Sequence, residues 1–320
     1  MNEFDLIKNY FGKIVYDKKT SLSLNDDVFF DKSRQLVISV DTYIEGVHFY
    51  NFKKPDLVIK KILRSSLSDL ICKGLHPKYF FISGSGNNYT FSKSNLKKIT
   101  KSLKSEQKKY NIFLSGGDTV KSNKLSFTFS VVGFSKKIIY RNRAKANDDI
   151  YVTGNLGDSY MGLQVLKKKI KLDKKLRDFF VKKYYLPDLQ IILAKKLFKF
   201  ANTTIDISDG LITDLEKLIN KQKLSYKLSL SKIPISNKLK TVLNKNNRFN
   251  LISVISRGDD YQILFTASPK KSGIIKKFAN LLGIKISKIG KINKKFQKSS
   301  IIDEKGNKIN INLKGYYHKF

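Results

Sequence analysis

A chain of 320 residues with 41% hydrophobic content has enough apolar mass for one large core or two domains, which fits a soluble globular protein and excludes a disulfide-stapled miniature. Its one cysteine, Cys72, excludes an internal disulfide framework and points to a reducing compartment. The formal net charge of +37 invites a nucleic-acid reading, but the lysines are spread along nearly the whole chain, as in Lys167-Lys168-Lys169 and Lys195-Lys196, which is the pattern of a solvated face that attracts anionic metabolites.

The N-terminus, Met1-Asn2-Glu3-Phe4-Asp5, is acidic where a secretory signal is basic, and no uninterrupted apolar stretch is long enough to span a bilayer, so a cytoplasmic protein without a membrane partner is expected. Phe4, Ile7, Tyr10 and Phe11 fall at helical spacing. Asn25-Asp26-Asp27 follows between apolar flanks. Leu36 to Thr42 reads as a buried strand ending at Asp41, with His48 shortly after. Pro55 and Asp56 open a helix that Gly74 and Pro77 close, carrying Asp69 among Leu67, Leu70 and Ile71. A second amphipathic helix around 96–110 leads into Ile112-Phe113-Leu114-Ser115-Gly116-Gly117-Asp118-Thr119, which reads as a buried strand ending in two glycines and a carboxylate. Phe127 to Gly133 alternates like a strand.

The basic passage from Lys136 to Asp149 is the expected domain boundary, giving an N-terminal unit over 1–140 and a C-terminal one over 141–320. Ile150 to Thr153 starts a second α/β unit. Gly154, Gly157 and Gly162 have the wrong spacing for a dinucleotide fingerprint and read as a tight strand-to-helix turn. Pro187 separates two helical stretches. Ile205-Asp206-Ile207-Ser208-Asp209-Gly210 precedes a helix expected from Leu211 to about Lys221, and Ser253 to Tyr261 repeats the acidic theme through Asp259 and Asp260. Strands alternating with helices argue for a mixed α/β architecture.

Asp26, Asp27, Asp41, Asp69, Asp118, Asp206, Asp209, Asp259 and Asp260 all sit in or beside apolar runs whose immediate flanks are mostly free of lysine. Burying an unpaired carboxylate costs several kcal/mol, roughly, so these groups need cations or strong hydrogen bonds. Short carboxylates beside glycine-rich turns suit Mg²⁺ and a polyphosphate, whereas one Cys and three His cannot build the usual zinc sets. The chain has neither a Walker A motif nor the protein-kinase motif set. Taken singly, each Asp also fits a turn or a helix cap.

In chain order, Asn25-Asp26-Asp27, Ile38-Ser39-Val40-Asp41-Thr42, Gly46-Val47-His48-Phe49, Leu67-Ser68-Asp69-Leu70, Ser115-Gly116-Gly117-Asp118-Thr119, Val152-Thr153-Gly154, Ile205 to Leu211, Gly258-Asp259-Asp260-Tyr261 and Lys314-Gly315-Tyr316 resemble the thiamine-monophosphate kinase family of the aminoimidazole ribonucleotide synthetase-like superfamily, over essentially the full length. The resemblance implies a two-domain α/β fold, with an N-terminal mixed sheet with helices and a C-terminal α/β domain. It implies transfer of the γ-phosphoryl of ATP to thiamine monophosphate, the last step of thiamine diphosphate synthesis. The implied Mg²⁺ ligands, for several ions, are Asp27, Ser39, Asp41, Asp69, Asp118, Asp206 and Asp209, with the backbone of Val40. Gly117, Asp118, Arg141 and Ser208 are implied ATP contacts. His48, Asp259 and Tyr316 are implied contacts to thiamine monophosphate, and a homodimer built through N-terminal strands is implied as well.

Two departures stand out. The family has glycines before its paired aspartates, where this chain has Ser23-Leu24-Asn25, and its Gly-Gly-Glu-Asp motif here reads Arg257-Gly258-Asp259-Asp260, whose shorter Asp259 reaches less far. Taken alone, His48 also suits a core position, Tyr316 a packing anchor and Arg141 a solvated site. Cys72 reads as a buried packing residue. No residue is assigned as a general base, because a phosphate monoester with a second pKa near 6 is already mostly dianionic. Two alternatives remain at this level: another ATP-dependent enzyme of the same superfamily, or a basic nucleic-acid-binding protein.

Overall fold

Two β-sheets share one long buried helix in the computed structural model, which describes residues 3–246, 248–294, 298–309 and 315–316. The first sheet is built from β1 (Phe29–Asp31), β2 (Leu36–Ile44), β3 (Pro77–Gly86), β4 (Phe113–Lys121) and β5 (Ser126–Phe134), in the order β1-β2-β5-β3-β4. Only β3 and β4 pair in parallel, and the connection between them passes through a helix. The second sheet comprises β6 (Asp149–Thr153), β7 (Thr203–Asp206), β8 (Leu224–Ser229), β9 (Ile263–Ala267), β10 (Ile286–Lys294), β11 (Ser300–Ile302) and β12 (Lys308–Ile309), in the order β12-β11-β8-β10-β6-β9-β7.

The helices are α1 (Glu3–Asn9), α2 (Pro55–Cys72), α3 (Lys93–Tyr110), α4 (Asp158–Leu166), α5 (Lys174–Tyr185), α6 (Ala194–Leu197), α7 (Leu211–Leu218), α8 (Asn237–Lys245), α9 (Leu251–Ile255) and α10 (Ser272–Leu282). Pro55 pre-sets the first turn of α2, and Asp56 complements the positive end of its dipole. The helix packs against β2 and β5 on one side and β7 on the other. Almost its whole circumference is therefore buried, including Lys61, Arg64 and three serines. Arg64 is matched by a bidentate pair to Glu106 of α3, at 2.7 and 2.9 Å. One apolar cluster runs from Phe80 and Phe129 of the first sheet to Phe265 of the second, so the two sheets share a core. Cys72 lies in that core, fully buried.

Three expectations change. The Ile112–Thr119 run is not a buried strand: Ile112 is buried, but β4 is exposed along its whole length. It is the last strand of its sheet, so no neighbour covers its free edge. β2 does not stop at Asp41 but runs on to Ile44, with Val37, Ser39 and Tyr43 buried and Val40 outward, the alternation of a half-buried strand. The helix after Asp209 ends at Leu218 rather than near Lys221, because the Leu218 carbonyl accepts from Asn142 N–H and Lys221 N–H turns to Asn142 Oδ1.

Gly162 shows how tightly α4 meets α5. A Cβ there would lie 2.2 Å from the Phe180 carbonyl oxygen. In a free helix Gly→Ala gains about 1 kcal/mol; here the clash is with backbone and outweighs it. Gly162→Ala should lose about 1–3 kcal/mol in denaturant unfolding, and a gain would show the packing to be looser than described.

Candidate active site

A cleft of 1680 Å³ opens beside the C-terminal half of α2, and most of the aspartates singled out above converge on it. Asp27, Val40, Asp41, His48, Asp69, Arg141, Asp206, Ser208, Asp209, Asp259 and Tyr316 all line it. Ser39 lies two residues before Asp41 on the inward face of β2, with its hydroxyl buried and without a hydrogen-bond partner. Gly117 and Asp118 do not reach the cleft. Across the sheet Asp41 pairs with Phe129, Phe129 with Ile82, and Ile82 with Gly117, which is three strand spacings, about 14 Å. Lys314 lies outside the described residues.

The floor divides by charge. Asp26 and Asp27 meet the chain's own cations: Lys73 Nζ lies 2.6 Å from Asp26 Oδ1 and 3.1 Å from Asp27 Oδ2, and Arg141 Nη1 lies 3.3 Å from Asp27 Oδ1. Burial pushes Asp27 up, but Arg141, Lys73 and Lys217 together hold it well below the ordinary carboxylate range. Asp41, Asp69 and Asp206 have no lysine or arginine within ion-pair distance among the described residues. Burial, reinforced by Asp27, raises Asp41 to about 6 and Asp206, which Asp41 also repels, to about 7. Asp69 is pushed well up by burial and by Asp41, Asp206 and Asp27. Tyr43 Oη donates to Asp41 at 3.3 Å and Ser68 Oγ to Asp206 at 2.7 Å, so hydrogen bonds orient these carboxylates without neutralising them.

The loop ahead of Asp26 answers the first departure. Leu22, Ser23 and Leu24 take φ values of 52°, 55° and 52°, a left-handed turn that glycine adopts freely and L-residues do at a cost. The loop thus keeps a glycine-type path without glycine. On the far side, the 206–209 and 258–261 loops zip together: Asp259 N–H donates to Ser208 O at 2.8 Å and Tyr261 N–H to Ile207 O at 2.8 Å. Gly258 is needed there, since a Cβ would stand 2.0 Å from Ser208 O. This acidic loop follows α9 rather than a strand, because Asn250 and Ser253 form a capping box that starts a helix.

Several side chains have other duties than the sequence suggested. Asp259 Oδ1 lies 2.5 Å from Lys61 Nζ, and its Oδ2 lies 3.4 Å from Ser159 Oγ. Asp260 turns inward and accepts Gly157 N–H on both oxygens at 3.0 Å, holding the turn before α4. Asp209 pairs with Lys217, and its carbonyl accepts Tyr316 N–H at 3.2 Å, so Tyr316 is tied to the 206–209 loop and faces the cleft. His48 Nδ1 accepts Ile44 N–H at 3.0 Å. Arg141 is not a solvated residue: its Nε donates to Asn25 O at 3.0 Å.

Sequence reading missed Lys61, Lys73 and Lys217. Absence of flanking lysine did not mean absence of cations, because the Lys61–Asp259 and Lys73–Asp26 pairs join residues far apart in the chain. Lys73 left a local trace one helical turn beyond Asp69, and Lys217 one on the helix that follows Asp209.

The oxygen-only donor set suits a hard cation. Among the described residues no three His, Cys, Asp or Glu are already drawn together around an ion position. Yet Ser39 Oγ is buried without a hydrogen bond, and three neighbouring carboxylates lack counter-charge. These residues therefore fit Mg²⁺, which keeps waters and phosphate oxygens in its shell rather than needing an all-protein cage.

The paired sheets and the acidic cleft define an AIR synthase-like protein, and residues 24–135 match the family model described as AIR synthase related protein, N-terminal domain. The chain is 36% identical to thiamine-monophosphate kinase of Haemophilus influenzae, over 92% of this chain and 90% of that one. It is 35% identical to the Buchnera aphidicola enzyme of the same name, over 99% and 98%. Among solved structures it superposes on AaThiL complexed with AMPPCP and TMP with a TM-score of 0.85 at 26% identity, covering 99% of this chain and 97% of that one. The chain belongs to the thiamine-monophosphate kinase family.

Two predictions follow from the geometry. Ser23→Gly should melt above the parent and Ser23→Val below it, since a β-branched residue resists a positive φ most; the reverse order in calorimetry would show the loop unstrained. Asp41 and Asp206 hold protons to about 6 and about 7 when folded, against 3.8 ordinarily. Between those values the folded state binds more protons, so their contribution is full below about pH 4 and is lost as pH rises to about 7. Metal-free protein should lose thermal stability across that window, with Asp206→Asn flattening the slope and Mg²⁺ restoring most at the upper end. A slope unchanged in Asp206→Asn would rule this out.

Proposed function

We infer that this protein is an ATP-dependent kinase that transfers the γ-phosphoryl group to the phosphate of thiamine monophosphate, giving thiamine diphosphate and ADP. Full-length likeness to thiamine-monophosphate kinases carries the reading, together with an acidic cleft where that chemistry needs cations. A phosphate oxygen of thiamine monophosphate attacks the γ-phosphorus as the bond to the ADP oxygen breaks. That oxygen is already ionised near neutral pH, so no general base is assigned. The difficulty is bringing two polyanions together in line.

Mg²⁺ is the proposed cofactor, held by Asp27, Ser39, Asp41, Asp69, Asp118, Asp206 and Asp209 with the Val40 backbone; when bound it would neutralise and bridge the phosphates. Gly117, Asp118, Arg141 and Ser208 are proposed to contact ATP, Arg141 through a guanidinium already pinned against Asn25 and Asp27. His48, Asp259 and Tyr316 are proposed to receive thiamine monophosphate, with the Tyr316 ring suited to a flat cationic heterocycle. Asp259, committed to Lys61, would act from a fixed position rather than by reaching. Units 1–140 and 141–320 are proposed as the two domains around the cleft, in a cytoplasmic enzyme; no helix among the described residues is long and apolar enough to cross a membrane.

A homodimer is part of this reading. The outer face of the first sheet leaves Val40, Tyr79, Phe81, Phe113 and Phe134 exposed, an apolar surface that a second copy would cover. In such a pair the distant Gly117 and Asp118 would serve the partner's cleft. Asp118→Asn and Asp41→Asn subunits should each lose turnover by orders of magnitude, and mixing them after dissociation should restore about one quarter of parental activity, since half the dimers are mixed and each holds one intact site. No recovery would place Asp118 outside the shared site. The substrate is tested with ATP and Mg²⁺ against thiamine monophosphate, thiamine and aminoimidazole precursors in parallel. Phosphorylation of thiamine or a precursor in preference to the monophosphate would overturn the assignment.

A further inference from the structure

Lys73 has no exposed surface, yet its ammonium lies within 3.2 Å of three oxygens: Asp26 Oδ1 at 2.6 Å, Asp27 Oδ2 at 3.1 Å and the Thr204 carbonyl at 3.2 Å. A buried ammonium is costly unless it meets counter-charge, and here it meets two carboxylates. Asp26 is further fixed by Arg141 N–H at 2.9 Å, and Asp27 by the Arg141 guanidinium. Two negative and two positive charges therefore stand together on this half of the floor. The other half, Asp41, Asp69 and Asp206, carries three carboxylates and no basic side chain within ion-pair distance among the described residues. Lys73 follows α2 directly and lies one turn from Asp69, so a single helix end sets both halves.

We propose that Lys73 is a resident cation of the metal centre, filling with a tethered ammonium the position between Asp26 and Asp27 that an additional divalent ion would otherwise occupy, and directing exchangeable Mg²⁺ to Asp41, Asp69 and Asp206. The proposal rests on the Mg²⁺ reading of the cleft but not on the identity of the phosphate acceptor. It makes Lys73 a positioning residue: the ammonium holds Asp27 toward the cleft and reduces the number of ions the site must recruit.

The test is Mg²⁺ binding without nucleotide, by calorimetric titration, alongside the rise in melting temperature that Mg²⁺ produces. Lys73→Arg should bind as many ions as the parent. Lys73→Met should bind one more equivalent and show a larger Mg²⁺-induced rise, and the double variant Asp26→Asn/Lys73→Met should return to the parental count. If Lys73 only ties α2 to its neighbours, Lys73→Met will melt lower with an unchanged ion count and an unchanged Mg²⁺-induced rise, which overturns the proposal. Should Lys73→Met not fold without metal, folding restored by Mg²⁺ and not by sodium chloride of equal ionic strength supports it, and failure in both salts overturns it. A parent that binds no Mg²⁺ removes the metal reading itself, an outcome separate from an unchanged count in Lys73→Met.

Discussion

Uncompensated negative charge at the C-terminal end of α2 is the constraint on which the rest of this structure depends. Asp69 sits in a helix covered on nearly every side, facing Asp41 from β2 and Asp206 from β7. Each carboxylate is pushed toward its protonated form by burial, and each worsens the position of the others. A fold selected for stability alone would fill this space with apolar side chains, which are commonly as stable or more so. Keeping three acids here, oriented by Tyr43 and Ser68, leaves the folded chain with a standing demand for a cation. The demand is local, since Asp26, Asp27, Asp209 and Asp259 are all answered by the chain's own lysines and arginine.

That division explains why the long helix is buried so completely. Both sheets must bring their aspartates to the same point, and α2 packs on β2, β5 and β7 together. Its polar residues are then spent in two ways. Arg64 closes a structural pair with Glu106, whereas Lys61, Ser68, Asp69 and the adjoining Lys73 all contact or form the cleft floor. The left-handed loop at 22–24 belongs to the same economy of space: it delivers Asp26 and Asp27 to Lys73 along a path that strains three L-residues.

Much of this was legible in the sequence, and the failures have a common cause. The span of α2 is marked locally by Pro55 and Gly74, and the aspartates show themselves by interrupting apolar runs. What periodicity cannot give is what lies beside a strand or opposite a charge. Phe113 and Leu114 look like core residues because their pattern is apolar; they are surface because both faces of the sheet are left uncovered at its last strand, β4. Lys61 and Asp259 are separated by 198 positions, so nothing in the neighbourhood of either announces the other. Asp260 interrupts an apolar run like the site aspartates, but its oxygens are taken by Gly157, a role decided by where two loops close.

The strong positive charge acquires a meaning once the cleft is divided into floor and rim. Lys8, Lys13, Lys18, Lys167, Lys169 and Lys221 line the opening, while the carboxylates lie deeper. An approaching polyphosphate meets the lysines first and is drawn in by a field that salt would weaken. It could not rest against the bare floor, where Asp41, Asp69 and Asp206 would repel it. Floor and ligand are both short of positive charge, so a divalent cation, as proposed above, would satisfy both at once, and neither alone would retain it as firmly. An acidic floor beneath a basic rim is therefore not a contradiction in the charge pattern but the arrangement that makes binding of cation and polyanion mutually dependent.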